Sequence, residues 1–116
     1  MALHLLKGKD AEQQARRYLE QSGMQMIESN YRCKLGEIDL VMQDRETLVF
    51  VEVRYRKSAA FGSAIESVTS GKRKKLLATA NHYLQHKRSS APCRFDVVGL
   101  TGQNKVQIEW IKDAFR

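Results

Sequence analysis

Apolar and charged residues alternate most regularly over residues 36–56, and this pattern predicts two neighbouring β-strands. Successive side chains of a strand point to opposite faces. The first strand then has an apolar face made by Ile38, Leu40 and Met42, and an opposite face made by Glu37, Asp39 and Val41. The second strand has an unbroken apolar face made by Val49, Val51, Val53 and Tyr55, opposite Phe50, Glu52, Arg54 and Arg56. On each strand the charged residues are therefore confined to one face.

The turn between these strands fixes how they pair. With Asp44 facing Thr47 across a two-residue turn, the apolar faces of the two strands coincide. A shift of one residue would set charged side chains against valines, which a half-buried sheet does not tolerate. The predicted facing pairs are Ile38 with Val53, Leu40 with Val51, Met42 with Val49, Asp39 with Glu52, and Glu37 with Arg54.

The pairing of Asp39 with Glu52 has two interpretations. Facing carboxylates repel, and a hard divalent cation such as Mg²⁺, which takes oxygen ligands, would relieve that repulsion. Alternatively, Glu37 forms a cross-strand ion pair with Arg54, and the two acids are solvated on an open face. Val41 and Phe50 share this face, so the acids are expected at the rim of a covered zone.

The rest of the chain divides into further helices and strands. Helical spacing of Ala11, Ala15 and Leu19 predicts a helix over residues 10–21, with Glu12 at the edge of its apolar face. Strands are predicted over residues 24–31, 94–100 and 106–111, a helical turn over 64–68, and a long helix from Ser70. The buried stripe of that helix is predicted at Leu76, Leu77, Ala80, Tyr83 and Leu84. This order predicts an α/β fold, a mixed sheet flanked by helices.

Composition narrows the class of protein and the kind of partner. The 116 residues, 42% of them hydrophobic with one proline, predict a single compact domain over residues 1–116. The formal net charge of +7 favours a polyanionic partner, most commonly nucleic acid, although basic surfaces also bind acidic proteins. No segment approaches the roughly 20 apolar residues of a membrane span. Two widely separated cysteines, Cys33 and Cys93, fit a reducing cytoplasm.

Cations cluster at the start of the long predicted helix, in the run Lys72, Arg73, Lys74 and Lys75. Cations at a helix N-terminus oppose the helix dipole, and a docked phosphate would compensate for this. Arg56 and Lys57 are two further candidates for phosphate contacts. An ordinary solvated basic face is the alternative for all of these residues.

Other polar and aromatic residues are assigned structural roles. His82 and His86 are four residues apart on a helix, but no third zinc ligand is evident, so they are interpreted as surface histidines. Asp96 is interpreted as a structural partner of a nearby arginine. Trp110 and Phe115 are assigned to the core or to a docked C-terminus.

Four segments resemble a known family of proteins. The residues are Gly8 and Glu12, then Gly36–Leu40 (GEIDL), Phe50–Arg54 (FVEVR) and Arg94–Val98 (RFDVV). They resemble the bacterial YraN-like family over almost the whole chain. That family is similar to archaeal Holliday-junction resolvases, within the PD-(D/E)XK nucleases, so the resemblance implies a restriction-endonuclease-like fold.

The resemblance also implies roles for individual residues. Asp39, Glu52 and the backbone carbonyl of Val53 would bind Mg²⁺ or Mn²⁺, and Glu12 would hold metal-bound water or a second ion. The implied activity is cleavage of branched DNA by a homodimer. Arg54 occupies the position where the nuclease motif has lysine, and arginine cannot serve as a general base because it stays protonated. A nucleic-acid-binding protein without catalysis and a basic protein-interaction module therefore remain alternatives.

Overall fold

The computed structural model describes residues 8–58 and 62–116. The elements are α1 (Gly8–Gln21), β1 (Gln25–Cys33), β2 (Gly36–Asp44), β3 (Thr47–Arg56), a 3₁₀ turn (Ile65–Ser67), α2 (Ser70–His86), β4 (Cys93–Thr101) and β5 (Gln107–Phe115). The predicted order of helix, three strands, helix and two strands is confirmed. The last strand is longer than predicted, because it continues four residues beyond Ile111.

The five strands form one sheet in the order β1-β2-β3-β4-β5. β3 and β4 are parallel, and the other neighbours are antiparallel. A parallel pair needs a long crossover connection, and α2 supplies it here. The predicted α/β class, a mixed sheet flanked by helices, is confirmed.

Both faces of the sheet are covered. On one face, Ala11, Ala15 and Leu19 of α1 pack against the apolar stripe that includes Val49 and Val51. On the other face, the buried side of α2 packs against residues including Val41, Phe50 and Phe95. Its buried residues are Leu76, Thr79, Ala80 and Tyr83, with Leu77 and Leu84 partly buried. The covered zone predicted around Val41 and Phe50 is therefore the interface with α2.

The predicted register of the hairpin is correct in the part nearest the turn. The paired residues run from Asp44–Thr47 to Leu40–Val51. Beyond Leu40 the prediction is wrong, because the Val53 N–H donates to the Asp39 Oδ2 carboxylate oxygen at 2.8 Å. Ile38 lies in the cluster on the α2 side, whereas Leu40 lies on the α1 side. The alternation of side chains is therefore broken at Asp39.

β1 is irregular at the corresponding place. Asn30 falls between the pairs Ser29–Leu40 and Tyr31–Ile38, opposite Asp39, and has a φ of 52°. Asparagine is one of the few non-glycine residues that adopt this left-handed conformation readily. The edge strand β1 and its neighbour β2 are therefore kinked together at Asn30 and Asp39, and the kink accounts for the lost alternation.

In the part of the chain that the structure describes, none of the helices combines the length and the apolarity needed to cross a membrane.

Candidate metal and phosphate site

Asp39 and Glu52 meet at one small cavity between the sheet and the first turns of α2. The cavity has a volume of about 190 Å³. Its walls are formed by Gly36, Glu37, Asp39, Glu52, Lys72, Lys75 and Leu76. The kink at Asp39 and the approach of α2 thus bring three acids and two lysines together, with Glu37 at the edge in an ion pair with Arg32.

The pKa of Asp39 is raised from 3.8 to about 8. The main cause is burial, which disfavours the charged carboxylate, and the second is the nearby charge of Glu52. The hydrogen bond from the Val53 N–H acts in the opposite direction but does not cancel these effects. At neutral pH, without a metal ion, the pair therefore retains a proton that a divalent cation can displace.

Glu52 is buried, with 7% of its surface exposed, and its charged contacts are long. Its Oε2 atom lies 3.4 Å from Arg54 Nη1 and 3.4 Å from Lys72 Nζ. Buried carboxylates normally have close partners that replace their lost hydration. Neither cation makes such a short contact, so Glu52 can still bind a ligand that compensates its charge better.

The donor set fits a hard divalent cation such as Mg²⁺ or Mn²⁺. Among the described residues no group of three or more histidine, cysteine or acidic side chains could hold a metal ion. Mg²⁺, however, commonly takes only one or two carboxylates and completes its shell with waters and phosphate oxygens. The Val53 N–H points to Asp39, and in an extended strand the carbonyl of a residue is on the same side as its N–H, so we expect the Val53 carbonyl to face this gap between β2 and β3.

The predicted third acid, Glu12, is not part of this cavity. It lies on α1 and lines a separate cavity of about 150 Å³ with Arg16, Ser29 and Asn30. The side-chain amide of Asn30 donates to Glu12 Oε1 at 3.0 Å. The charge of Glu12 still contributes, as the smallest cause, to the raised pKa of Asp39. Glu12 therefore acts on Asp39 from a neighbouring cavity.

Arg54 lies between the acid pair, where its Nη1 is 3.4 Å from Glu52 Oε2, and the 3₁₀ turn that precedes α2. Its Nε donates to Ser67 Oγ at 2.9 Å, and that hydroxyl donates to the Ala64 carbonyl oxygen at 2.6 Å. The predicted pairing of Arg54 with Glu37 is wrong, since Glu37 is ion-paired with Arg32 of β1. The physical reason is the kink, which ends the β2–β3 ladder before Glu37.

The residues predicted to contact phosphate separate into lysines, which line the cavity or are exposed, and arginines, which bind backbone carbonyl groups. Lys72 and Lys75 line the cavity, and Lys57 and Lys74 are exposed. Arg73 instead donates from Nε to the Val68 carbonyl oxygen at 3.1 Å, and its guanidinium stacks on the Phe115 ring at 5.5 Å. Arg56 donates from Nη1 to the Gly62 carbonyl oxygen at 2.6 Å. The two arginines therefore hold the loop and the C-terminal strand in place.

Sequence patterns did not identify some of the residues that shape the site. A Cβ atom added to Gly36 would lie 2.9 Å from Thr79 Oγ1, so glycine permits the close approach of α2 to the start of β2. Asn30 forms the kink and also holds Glu12. The signal that was available is the glycine beside the acids in the segment Gly36–Leu40.

A larger cavity, of about 910 Å³, lies at the opposite end of the hairpin. Of its charged residues, Arg94 is paired: Arg94 Nη1 lies 3.0 Å from Asp44 Oδ2, and Arg94 Nε lies 3.0 Å from Asp96 Oδ1. The predicted structural role of Asp96 as an arginine partner is confirmed. The acids that line this larger cavity, Asp44 and Glu46, are not buried, so it is a weaker candidate for the chemistry than the smaller one.

The fold defines an α/β protein with a five-stranded mixed sheet and two helices. Residues 11–100 match the family described as uncharacterised protein family UPF0102. The chain belongs to this family, which confirms the resemblance predicted from the sequence; the family belongs to the restriction-endonuclease-like superfamily.

Similar proteins occur in bacteria. A UPF0102 protein of Nitrosococcus oceani is 52% identical, over 99% of this chain and 95% of its own. One from Methylobacillus flagellatus is 54% identical, over 93% of this chain and 95% of its own. A solved structure of Pyrococcus furiosus SfsA in complex with Ca²⁺ is 13% identical and aligns with a TM-score of 0.35, over 90% of this chain and 62% of that one.

Proposed function

We propose that this protein is a divalent-metal-dependent endonuclease that hydrolyses phosphodiester bonds in DNA. The observation that carries the proposal is the poorly compensated pair of half-buried Asp39 and buried Glu52, which shares one cavity with Lys72 and Lys75. Two carboxylates bind a cation, and lysines beside them bind a phosphate. A site for a phosphate with a metal ion needs both.

The residues of the site have distinct roles in this proposal. A divalent ion held by Asp39, Glu52 and the Val53 carbonyl would polarise the phosphate and acidify a water molecule. The lysines compensate the negative charge that grows on the phosphate oxygens. In the reaction, a water oxygen forms a bond to phosphorus, the bond to the leaving nucleoside oxygen breaks, and that oxygen departs with a proton.

The net charge of +7 supports a nucleic acid as the substrate. The resemblance to junction resolvases supports branched DNA as the preferred form. A four-way junction has two strands to cut symmetrically, so the proposal includes a homodimer with one cavity for each strand.

Cleavage assays on four-way junctions, flaps and plain duplex, each with Mg²⁺ or Mn²⁺, test the proposal. The wild-type protein is expected to cut at least one branched substrate, and Asp39→Asn and Glu52→Gln are expected to abolish cutting. Glu46→Gln removes the same charge from the exposed hairpin turn and serves as the matched control. Equal activity of all four proteins would assign the cutting to a contaminant and overturn the proposal.

The position of Arg54 favours a second candidate function, DNA binding without cleavage. Its guanidinium is held by Ser67 and carries the charge that the motif normally places on a lysine. Binding that falls steeply with salt, together with no cleavage in any metal, would support this candidate. Binding of polyanions that is indifferent to salt would instead favour a protein-interaction module.

A further inference from the structure

The nuclease motif requires an ammonium group near the acid pair, and β3 does not provide one. Arg54 occupies the motif position, but its Nε is bound by Ser67 and its Nη1 is 3.4 Å from Glu52. Arg54 is not one of the described residues that line the acid cavity. The cations that do line this cavity are Lys72 and Lys75, both on α2.

Lys72 is the cation of the cavity with a defined contact to the acid pair. Its Nζ lies 3.4 Å from Glu52 Oε2, and its side chain is 47% exposed, so it borders both the acid and the solvent. Its backbone is fixed, because the Lys72 N–H donates to the side chain of Thr69, the N-cap of α2. A lysine has a flexible stem and three donors, which allow its ammonium to move from Glu52 to a phosphate oxygen.

We propose that Lys72, on α2, replaces the lysine that the nuclease motif places on β3. In the metal-free protein its ammonium compensates Glu52. When a divalent cation binds the two carboxylates, the ammonium is released from Glu52 and contacts a non-bridging oxygen of the scissile phosphate. The inference rests on the proposed function for the identity of the substrate, and on the structure alone for the contact with Glu52.

The first test measures metal binding without any substrate. Because the ammonium of Lys72 competes with the metal for Glu52, Lys72→Met is expected to bind Mn²⁺ several-fold more tightly than the wild type in calorimetric titrations. Lys105→Met removes an exposed lysine from the β4–β5 turn and is expected to bind Mn²⁺ as the wild type does. Unchanged or weaker binding by Lys72→Met would overturn the contact on which the proposal rests.

The second test measures the rate of single-turnover cleavage of a four-way junction at saturating protein. Lys72→Met is expected to lower this rate by about 10²-fold, as for the loss of one donor to a transition-state oxyanion. Lys72→Arg should recover part of the rate, and Arg54→Met should lower it less than Lys72→Met does. A larger loss in Arg54→Met, or a Lys72→Met defect seen only in junction affinity, would overturn the role of Lys72.

The two tests separate the inference from the proposed function. A wild-type protein that binds Mn²⁺ but cuts no substrate would overturn the endonuclease proposal. The Mn²⁺ affinities of wild type and Lys72→Met would then still decide whether Lys72 is the cation that compensates Glu52.

Discussion

This sheet contains two acidic centres, the pair of Asp39 on β2 and Glu52 on β3, and Asp96 on β4, and they are compensated very differently. Asp96 of β4 has no exposed surface and accepts hydrogen bonds from four donor groups. These donors are Arg94 Nε at 3.0 Å, Arg94 Nη2 at 3.3 Å, Trp110 Nε1 at 2.9 Å and the Asp113 N–H at 3.0 Å. Its charge is therefore matched within the protein itself.

The pair of Asp39 and Glu52 has no comparable set of donors. Asp39 accepts the Val53 N–H, and Glu52 has two cations at 3.4 Å. The consequence is a pKa of about 8 for Asp39, caused mainly by burial and next by Glu52. A buried acid whose charge is fully paired stabilises the fold. An acid pair that has too few donors can instead be stabilised by binding a cation.

Replacing one acid of each centre by asparagine should give the largest difference between the centres, in the free energy of unfolding. Asp96→Asn leaves the partly buried Arg94 without its main partner, and breaking a buried pair in this way costs about 3–5 kcal/mol. Asp39→Asn removes repulsion with Glu52 and is expected to leave the metal-free stability unchanged or higher. Urea denaturation in the presence of a chelator measures both free energies of unfolding. Equal losses in the two variants would show that both acids are structural.

Divalent metal should stabilise the protein through one centre only. A ligand that binds only the folded state at 100 times its Kd adds about 2.7 kcal/mol to the free energy of unfolding. This increment is expected for wild type and Asp96→Asn in Mn²⁺, and it should be absent in Asp39→Asn. Thermal unfolding at increasing Mn²⁺ measures it. An increment that persists in Asp39→Asn would place the metal elsewhere.

Stability without metal should depend on pH through Asp39. Its pKa is about 8 in the folded protein and near 3.8 when unfolded, so the folded state binds more protons between these values. The free energy of unfolding therefore falls as pH rises from about 4 to about 8, by at most about 1.4 kcal/mol per unit for one proton. Asp39→Asn should remove this contribution, and metal affinity should rise with pH over the same window. An unchanged slope in Asp39→Asn would contradict the assignment.

Most of the fold follows from local patterns in the sequence. The order of elements and the register from Asp44–Thr47 to Leu40–Val51 were predictable, because apolar periodicity and a two-residue turn determine them. The pairing of β3 with β4 brings residues far apart in sequence together, such as Val51 and Asp96. No local pattern specifies that contact.

The sequence singles out the acids of the candidate site but not its cations. Alternation brought Asp39 and Glu52 into consideration together, but the facing pair predicted for them lies beyond the observed β2–β3 ladder, because the kink at Asn30 and Asp39 breaks the alternation. The distinction between Lys72 at the cavity and Arg73 on Phe115 depends on how α2 rotates against the sheet. Thr79 of α2 packs closely on Gly36 in that arrangement, and adjacent basic residues in a sequence do not reveal it.

The smallest expected effect concerns Glu12, which shares one property with each of the two acidic centres. It has a partner in Asn30, as Asp96 has its own partners, yet its charge contributes to the raised pKa of Asp39. Glu12→Gln should therefore lower the pKa of Asp39 slightly, and less than Glu52→Gln does, because Glu52 is the larger cause. Carboxyl NMR titrations of the metal-free proteins measure both shifts.

The same variant decides whether Glu12 binds metal. As a charge in a neighbouring cavity, Glu12→Gln should weaken Mn²⁺ binding far less than Asp39→Asn, and exposed Glu46→Gln should leave it unchanged. A loss in Glu12→Gln as large as that in Asp39→Asn would make Glu12 a ligand, which requires α1 to move toward the acid pair when metal binds. The incomplete centre would then comprise three acids, and its difference from Asp96 would include a change in the packing of α1.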